Sequence, residues 1–141
     1  MSIQVSFKYQ TPGKNLQKES LIKSVVQRVA GVLSLPPFVE VYIYDLGIAV
    51  QGGVDMSMNR VILNTRLTIP EIPKILIHEL IHVNQKYTGK LKVSGDGMYL
   101  WEGKMYNAKH PEKLTKAEYL ALPWEADVVN NLATIVNKAL S

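Results

Sequence analysis

One stretch of this chain leaves it few ways to fold. From Ile72 to Tyr87 the residues follow a helical period, with Pro70 and Pro73 confined to the start, where backbone N–H groups lack helical partners anyway. Gly89 closes the run. With Ile75 at zero on a helical wheel, Ile75, Leu76, Ile77, Leu80, Ile81 and Val83 point in most directions. A helix that is apolar nearly all round must be covered nearly all round, so the rest of the chain has to wrap it. The 141 residues suffice for one domain doing this. One polar wedge interrupts the apolar surface: His78, Glu79, His82, Gln85 and Lys86. That is the pattern of a helix presenting a site from inside a core.

The flanking sequence supplies the covering elements. Ile3 to Tyr9 alternates Ile3, Val5, Phe7 and Tyr9 on one face, predicting a half-buried strand that ends at Thr11-Pro12-Gly13. Leu16 to Leu33 carries Leu21, Ile22, Val25, Val26, Val29 and Val32 at helical spacing, and Pro36-Pro37 stops it. Val39 to Leu46 reads as a second strand, Gly52-Gly53 as a turn, and Asn59 to Thr65 as a third strand rich in branched residues. Beyond the buried helix, Leu91 to Val93 and Met98 to Trp101 flank a Ser94-Gly95-Asp96-Gly97 turn as a hairpin, followed by an irregular stretch to Pro111. Thr115 and Glu118 have capping-box spacing for a short helical turn, and Pro123 suits the first position of a last helix reaching about Leu140. The expected class is α+β: an N-terminal helix and a short three- to four-stranded sheet packed on the central helix, with a further helix at the C-terminal end.

Composition removes whole kinds of chemistry. There are no cysteines, so disulfides, thiol catalysis and thiolate metal sites are excluded, and any metal must be held by His, Asp or Glu. No run of about 18 apolar residues predicts a spanning helix. The alternating start Met1-Ser2-Ile3-Gln4-Val5 does not resemble a signal peptide, so a cytoplasmic location is expected. The net charge of +4 permits weak attraction to polyanions but is not a nucleic-acid signature without a clustered patch.

Within the polar wedge, His78-Glu79-Leu80-Ile81-His82 forms an HExxH pentapeptide. At about 100° per residue the two histidines lie roughly 40° and one turn apart, so both imidazoles can reach one ion while Glu79 sits on the adjoining side. Two hydrogen-bonded core histidines are the plainer alternative. A catalytic zinc site needs a third protein ligand and an open position. Gln85 and Thr88 stand where the HExxHxxGxxH pattern has its Gly and third His, which excludes a metzincin-type site.

The candidates for the third ligand are Glu102, His110, Glu112, Glu118, Glu125 and Asp127. On the last helix Val128, Val129, Leu132 and Val136 fall within about 60° of Glu125, whereas Asp127 lies near Asn131 and Lys138, facing away. An ionised carboxylate on an apolar face is costly unless a cation meets it, which favours Glu125 as a ligand. The alternative for Glu125 is an interaction with the free N–H groups of its helix start.

With these residues in view, the chain resembles the zincin metallopeptidases, specifically a minimal gluzincin of the compact type common in phage and bacterial genomes. The resemblance runs from about residue 59 to 133. It rests on HExxH, on the strand Val61-Ile62-Leu63-Asn64, on the Trp-x-Gly-x-x-Tyr stretch from Trp101 to Tyr106, and on the run Leu122-Pro123-Trp124-Glu125-Ala126-Asp127. It implies a zinc ion on His78, His82 and Glu125, with Glu79 as the catalytic carboxylate that takes a proton from the metal-activated water and delivers it to the leaving amine. Tyr106, Tyr99 or Tyr119 could donate to the oxyanion. If Val61 to Thr65 is the sheet edge beside the motif helix, an extended peptide or protein substrate could add to it as a strand.

The expected function is zinc-dependent peptide-bond hydrolysis in the cytoplasm, a host's cytoplasm if the chain is phage-encoded, with no membrane partner. One rival is a zincin scaffold serving as a binding or inhibitory module with structural zinc. Another is single-stranded nucleic-acid binding by Lys86, Lys90, Lys92, Lys104, Lys109, Lys113 and Lys116 with Tyr99, Trp101 and Tyr106 between them, although such a charge run is usually a solvated face.

Overall fold

The computed structural model describes residues 2–55, 60–93, 98–107 and 114–141. Their elements run β1 (Gln4–Tyr9), α1 (Leu16–Ala30), β2 (Phe38–Tyr44), β3 (Gly52–Asp55), β4 (Arg60–Asn64), α2 (Ile72–Tyr87), β5 (Leu91–Val93), β6 (Met98–Trp101), β7 (Lys104–Asn107), α3 (Lys116–Leu120) and α4 (Pro123–Leu140). The described residues thus form a small α+β domain with two sheets, and none of their helices is long and apolar enough to cross a membrane.

The larger sheet has the order β1-β2-β4-β3. β1 pairs with β2 and β2 with β4 in parallel, and β3 runs antiparallel to β4. Alternation along β2 turns Val39, Val41 and Ile43 into the core and leaves Glu40, Tyr42 and Tyr44 half-buried on the other face. Onto the apolar face pack Ile22, Val25, Val26 and Val29 of α1 with Leu76, Ile77, Leu80, Ile81 and Val83 of α2, and α4 adds Val128, Ile135 and Ala139. The central helix is therefore covered as its sequence requires. Glu71 precedes it in a single 3-10 turn and accepts from both the backbone N–H and the hydroxyl of Thr68, which fixes the entry angle.

Several expectations are corrected. The N-terminal helix ends at Ala30 and not Leu33, because Gly31 takes the C-cap and its N–H turns back to the Arg28 carbonyl. Gly52-Gly53 is strand and not turn, so β3 and not β4 is the sheet edge, and β4 lies inside between β2 and β3. Glycine is needed at position 52: a Cβ there would stand 2.9 Å from the Ile62 carbonyl oxygen and 3.2 Å from the Ile75 side chain. Lacking one, the edge strand and α2 close together. Buried Asn64 steadies the approach to that edge, donating to the carbonyls of Gly47 (2.6 Å) and Val50 (2.8 Å).

Residues 102–107, the described part of the stretch expected to be irregular, are not irregular either. β7 pairs back on β6 through a two-residue turn in which Glu102 (φ 50°) and Gly103 (φ 85°) both have positive φ, the requirement of a tight type I′ hairpin. The turn expected over residues 94–97, the candidates His110 and Glu112, and Lys109 and Lys113 lie outside the described residues.

Candidate metal centre

α2 brings His78 and His82 to one side of the helix, one turn apart, with ring centroids 5.3 Å from each other. The third group arrives with α4. Pro123 begins that helix, Trp124 enters a small apolar cluster with Leu91, and Glu125 in the first turn is left pointing at the two imidazoles. Glu125 Oε2 lies 3.2 Å from His82 Nε2, and Oε1 lies 3.8 Å from His78 Nε2. Each of the three residues offers a ligand atom within 4.8 Å of the others. Tetrahedral ligands at about 2.1 Å from an ion sit about 3.4 Å apart, so the set fits a divalent cation with modest adjustment. Two imidazoles and a carboxylate are also a suitable donor set for such an ion.

Of the other candidates, Glu118 instead caps α3, accepting from the Thr115 N–H at 3.0 Å, and Glu102 is exposed in a hairpin turn outside the group. Asp127 does not face solvent as expected. It is half-buried and accepts from Gln85 Nε2 at 2.9 Å, while its expected neighbour Asn131 donates to its other oxygen at 3.1 Å. Val129, expected on the buried stripe with Glu125, is 60% exposed, because Trp124 and Val128 carry that stripe one residue earlier round the helix.

Burial governs the electrostatics. Glu79, His82 and Glu125 are only 7%, 6% and 5% exposed, while His78 opens further to solvent. Burial pushes the Glu79 carboxyl up, opposed by the charges of His82 and His78 and reinforced by that of Glu125. At Glu125 burial also acts upward, but hydrogen bonds from His78 and His82 outweigh it and bring the carboxyl down to about 2. At His82 burial is the largest single effect and acts downward, but the hydrogen bond and charge of Glu125, the Gln85 hydrogen bond and the Glu79 charge together outweigh it, so the net shift is upward. His82 and Glu125 thus form a buried hydrogen-bonded pair.

These groups line a cleft of about 280 Å³ with Gly52, Gly53 and Val54 of the edge strand on one side and Tyr99, Tyr119, Leu122 and Trp124 on the other. Glu79 is in the cleft but outside the three-ligand set, leaving its carboxylate available for proton transfer. Of the three tyrosines considered, Tyr99 and Tyr119 reach the cleft, and burial followed by the Glu125 charge raises the Tyr119 phenol. Tyr106 instead stacks edge-on against Trp124, at 5.9 Å between centroids.

Sequence reasoning placed Gln85 in the polar wedge but missed its role; its spacing of three after His82 was the available signal. It missed Gly52 as well, since two adjacent glycines read as a turn. Compared with protein-family models, curated proteins and solved structures, the chain matches none of them.

Proposed function

We propose that this chain is a zinc-dependent peptidase of compact gluzincin type. The observation that carries the reading is the convergence of His78, His82 and Glu125 from two helices at 3.2 and 3.8 Å, beside a buried glutamate that is not part of the set. His78, His82 and Glu125 would hold the ion. Zinc in such a site supplies Lewis acidity, lowering the pKa of a coordinated water towards about 7 and polarising a carbonyl. Glu79 then serves as the proton carrier: its carboxylate accepts a proton from water and delivers it to the departing amine nitrogen.

β3 ends the sheet and lines the cleft, so an extended peptide adding to it would run past His78 and Glu79, gripped by main-chain hydrogen bonds. Gly53 offers no side chain to obstruct it. Tyr119 or Tyr99 stands where a hydroxyl could donate to a developing oxyanion.

The test is Glu79→Gln assayed on a peptide library beside the wild type. The variant should keep one equivalent of zinc and lose about 10²-fold or more in hydrolysis, while Glu125→Ala should lose the metal. Undiminished cleavage by Glu79→Gln would remove the assigned chemistry and leave a metal-binding module.

A further inference from the structure

The structure assigns to Gln85 the positioning of His82: its side-chain amide, clamped by α4, holds a proton on Nδ1 and so turns Nε2 to the centre as the nitrogen free to ligate. The inference rests on the metal-centre reading above.

His82 Nδ1 lies 2.8 Å from Gln85 Oε1, and both residues are buried. A neutral imidazole has one N–H and one lone pair, and a glutamine could meet Nδ1 with either end of its amide. The far side of the amide decides between them. Gln85 Nε2 lies 2.9 Å from the Trp124 carbonyl oxygen and 2.9 Å from Asp127 Oδ2. A carbonyl and a carboxylate only accept, and the amide has two N–H bonds to give, so both are used. Turning the amide over would set its oxygen against two acceptors at a side chain with 0% exposure. Gln85 therefore offers Oε1 to His82 and Nδ1 carries a proton, so Nε2, which otherwise donates to Glu125, is the nitrogen whose lone pair an ion would take.

The clamp does a second thing. Its two acceptors, Trp124 and Asp127, flank Glu125 on the first turns of α4. One neutral amide thus sets the orientation of His82 and the position of the helical turn that bears the third ligand. It does so without placing a further charge against the centre.

The experiment has two arms. In metal-free Glu125→Ala protein at alkaline pH, where no carboxylate faces Nε2, the ring-nitrogen NMR signals of His82 should show Nδ1–H, and a dominant Nε2–H form would overturn the assignment. In the second arm zinc affinity is measured by chelator competition. Gln85→Leu should bind about 10- to 100-fold more weakly than wild type. The double variant Gln85→Glu with Asp127→Asn should recover part of that loss, because the new carboxylate still accepts from Nδ1 and the new amide donates to it, while the Trp124 carbonyl loses its donor. A purely structural role would not be rescued by exchanging donor and acceptor in this way. Wild-type affinity in Gln85→Leu would end the inference, as would failure of the rescue. Should Gln85→Leu not fold, Asp127→Ala, which keeps the Trp124 anchor, should show a smaller weakening in folded protein, and unchanged affinity there would count against the clamp. If wild type takes up no zinc, the metal reading fails, and the NMR arm still decides the tautomer.

Discussion

The domain has a large apolar core and a small one, and α4 belongs to both. The large core joins α1, α2, the four-stranded sheet and the later turns of α4 through Val128, Ile135 and Ala139. The small one is Leu91 and Trp124, packed round by Tyr99, Trp101, Tyr106 and Leu122 from the minor sheet and the α4 start. His78 and His82 ride on a helix fixed by the first. Glu125 sits where α4 passes from one to the other, next to Trp124. Two of the candidate ligands thus inherit the rigidity of the main core, and the third depends on a thin cluster of aromatic contacts, with Trp124 and Tyr99 rings 4.9 Å apart.

The sharpest way to break this comparison is to truncate one residue in each core. Trp124→Ala removes the centre of the small cluster and should cost about 3–5 kcal/mol, with early hydrogen exchange in β5–β7 and a loss of cation affinity beyond the loss of global stability. Leu76→Ala in the large core should cost about 2–5 kcal/mol, spread over the whole denaturation transition. If both variants lose stability and affinity in the same proportion, the two cores are one cooperative unit.

Next in size is Gly52→Ala, where the added methyl meets the Ile62 carbonyl and Ile75. It should destabilise by about 1–3 kcal/mol, measured by urea denaturation, by forcing the edge strand off α2. Gly53→Ala meets nothing within 4 Å and should leave stability nearly unchanged. Equal costs at the two positions would show that strand entropy, and not helix approach, explains the glycines.

The gentlest probe is pH, which acts at the seam between the cores. Glu125 is depressed from 4.5 to about 2, so its contribution is present above about pH 4.5 and lost as pH falls towards 2. His82 is raised above 6.5, so its contribution is complete below that value and lost as pH rises through the folded value. Glu79, also raised, adds a decline that begins as pH rises above 4.5. Metal-free protein should therefore be most stable in the mildly acidic range. A divalent cation competes with the His82 proton, so its binding should strengthen with rising pH. In titrations, the melting temperature should fall above neutrality without zinc and stay nearly level with it.

Much of this was legible in the sequence because it depends on local periodicity. The all-round apolarity of Ile72 to Tyr87 required a covered helix, and the polar wedge located the site within it. Pro123 and Glu125 could be read as a helix start and an inward carboxylate. What was not legible depends on contacts between distant segments. Asp127 looked solvated on its own helix because Gln85, its buried partner, lies on another. Gly52 looked like a turn because its reason, the proximity of Ile62 and Ile75, is visible only once β3, β4 and α2 are assembled. The positive φ of Glu102 made a hairpin where composition alone promised irregular chain.

His82 and Glu125 stand at the two ends of a long segment that includes the whole minor sheet, yet their side chains meet. An ion bridging them would act as a clasp on that loop, sparing the folded chain part of the closure entropy that non-covalent contacts otherwise bear. At a free concentration 100 times its dissociation constant, such an ion would add about 2.7 kcal/mol to the stability of the native state. The lifetime of this protein against proteolysis would then follow the supply of its metal, and a chelator would loosen the C-terminal helix before it disturbed the sheet beneath.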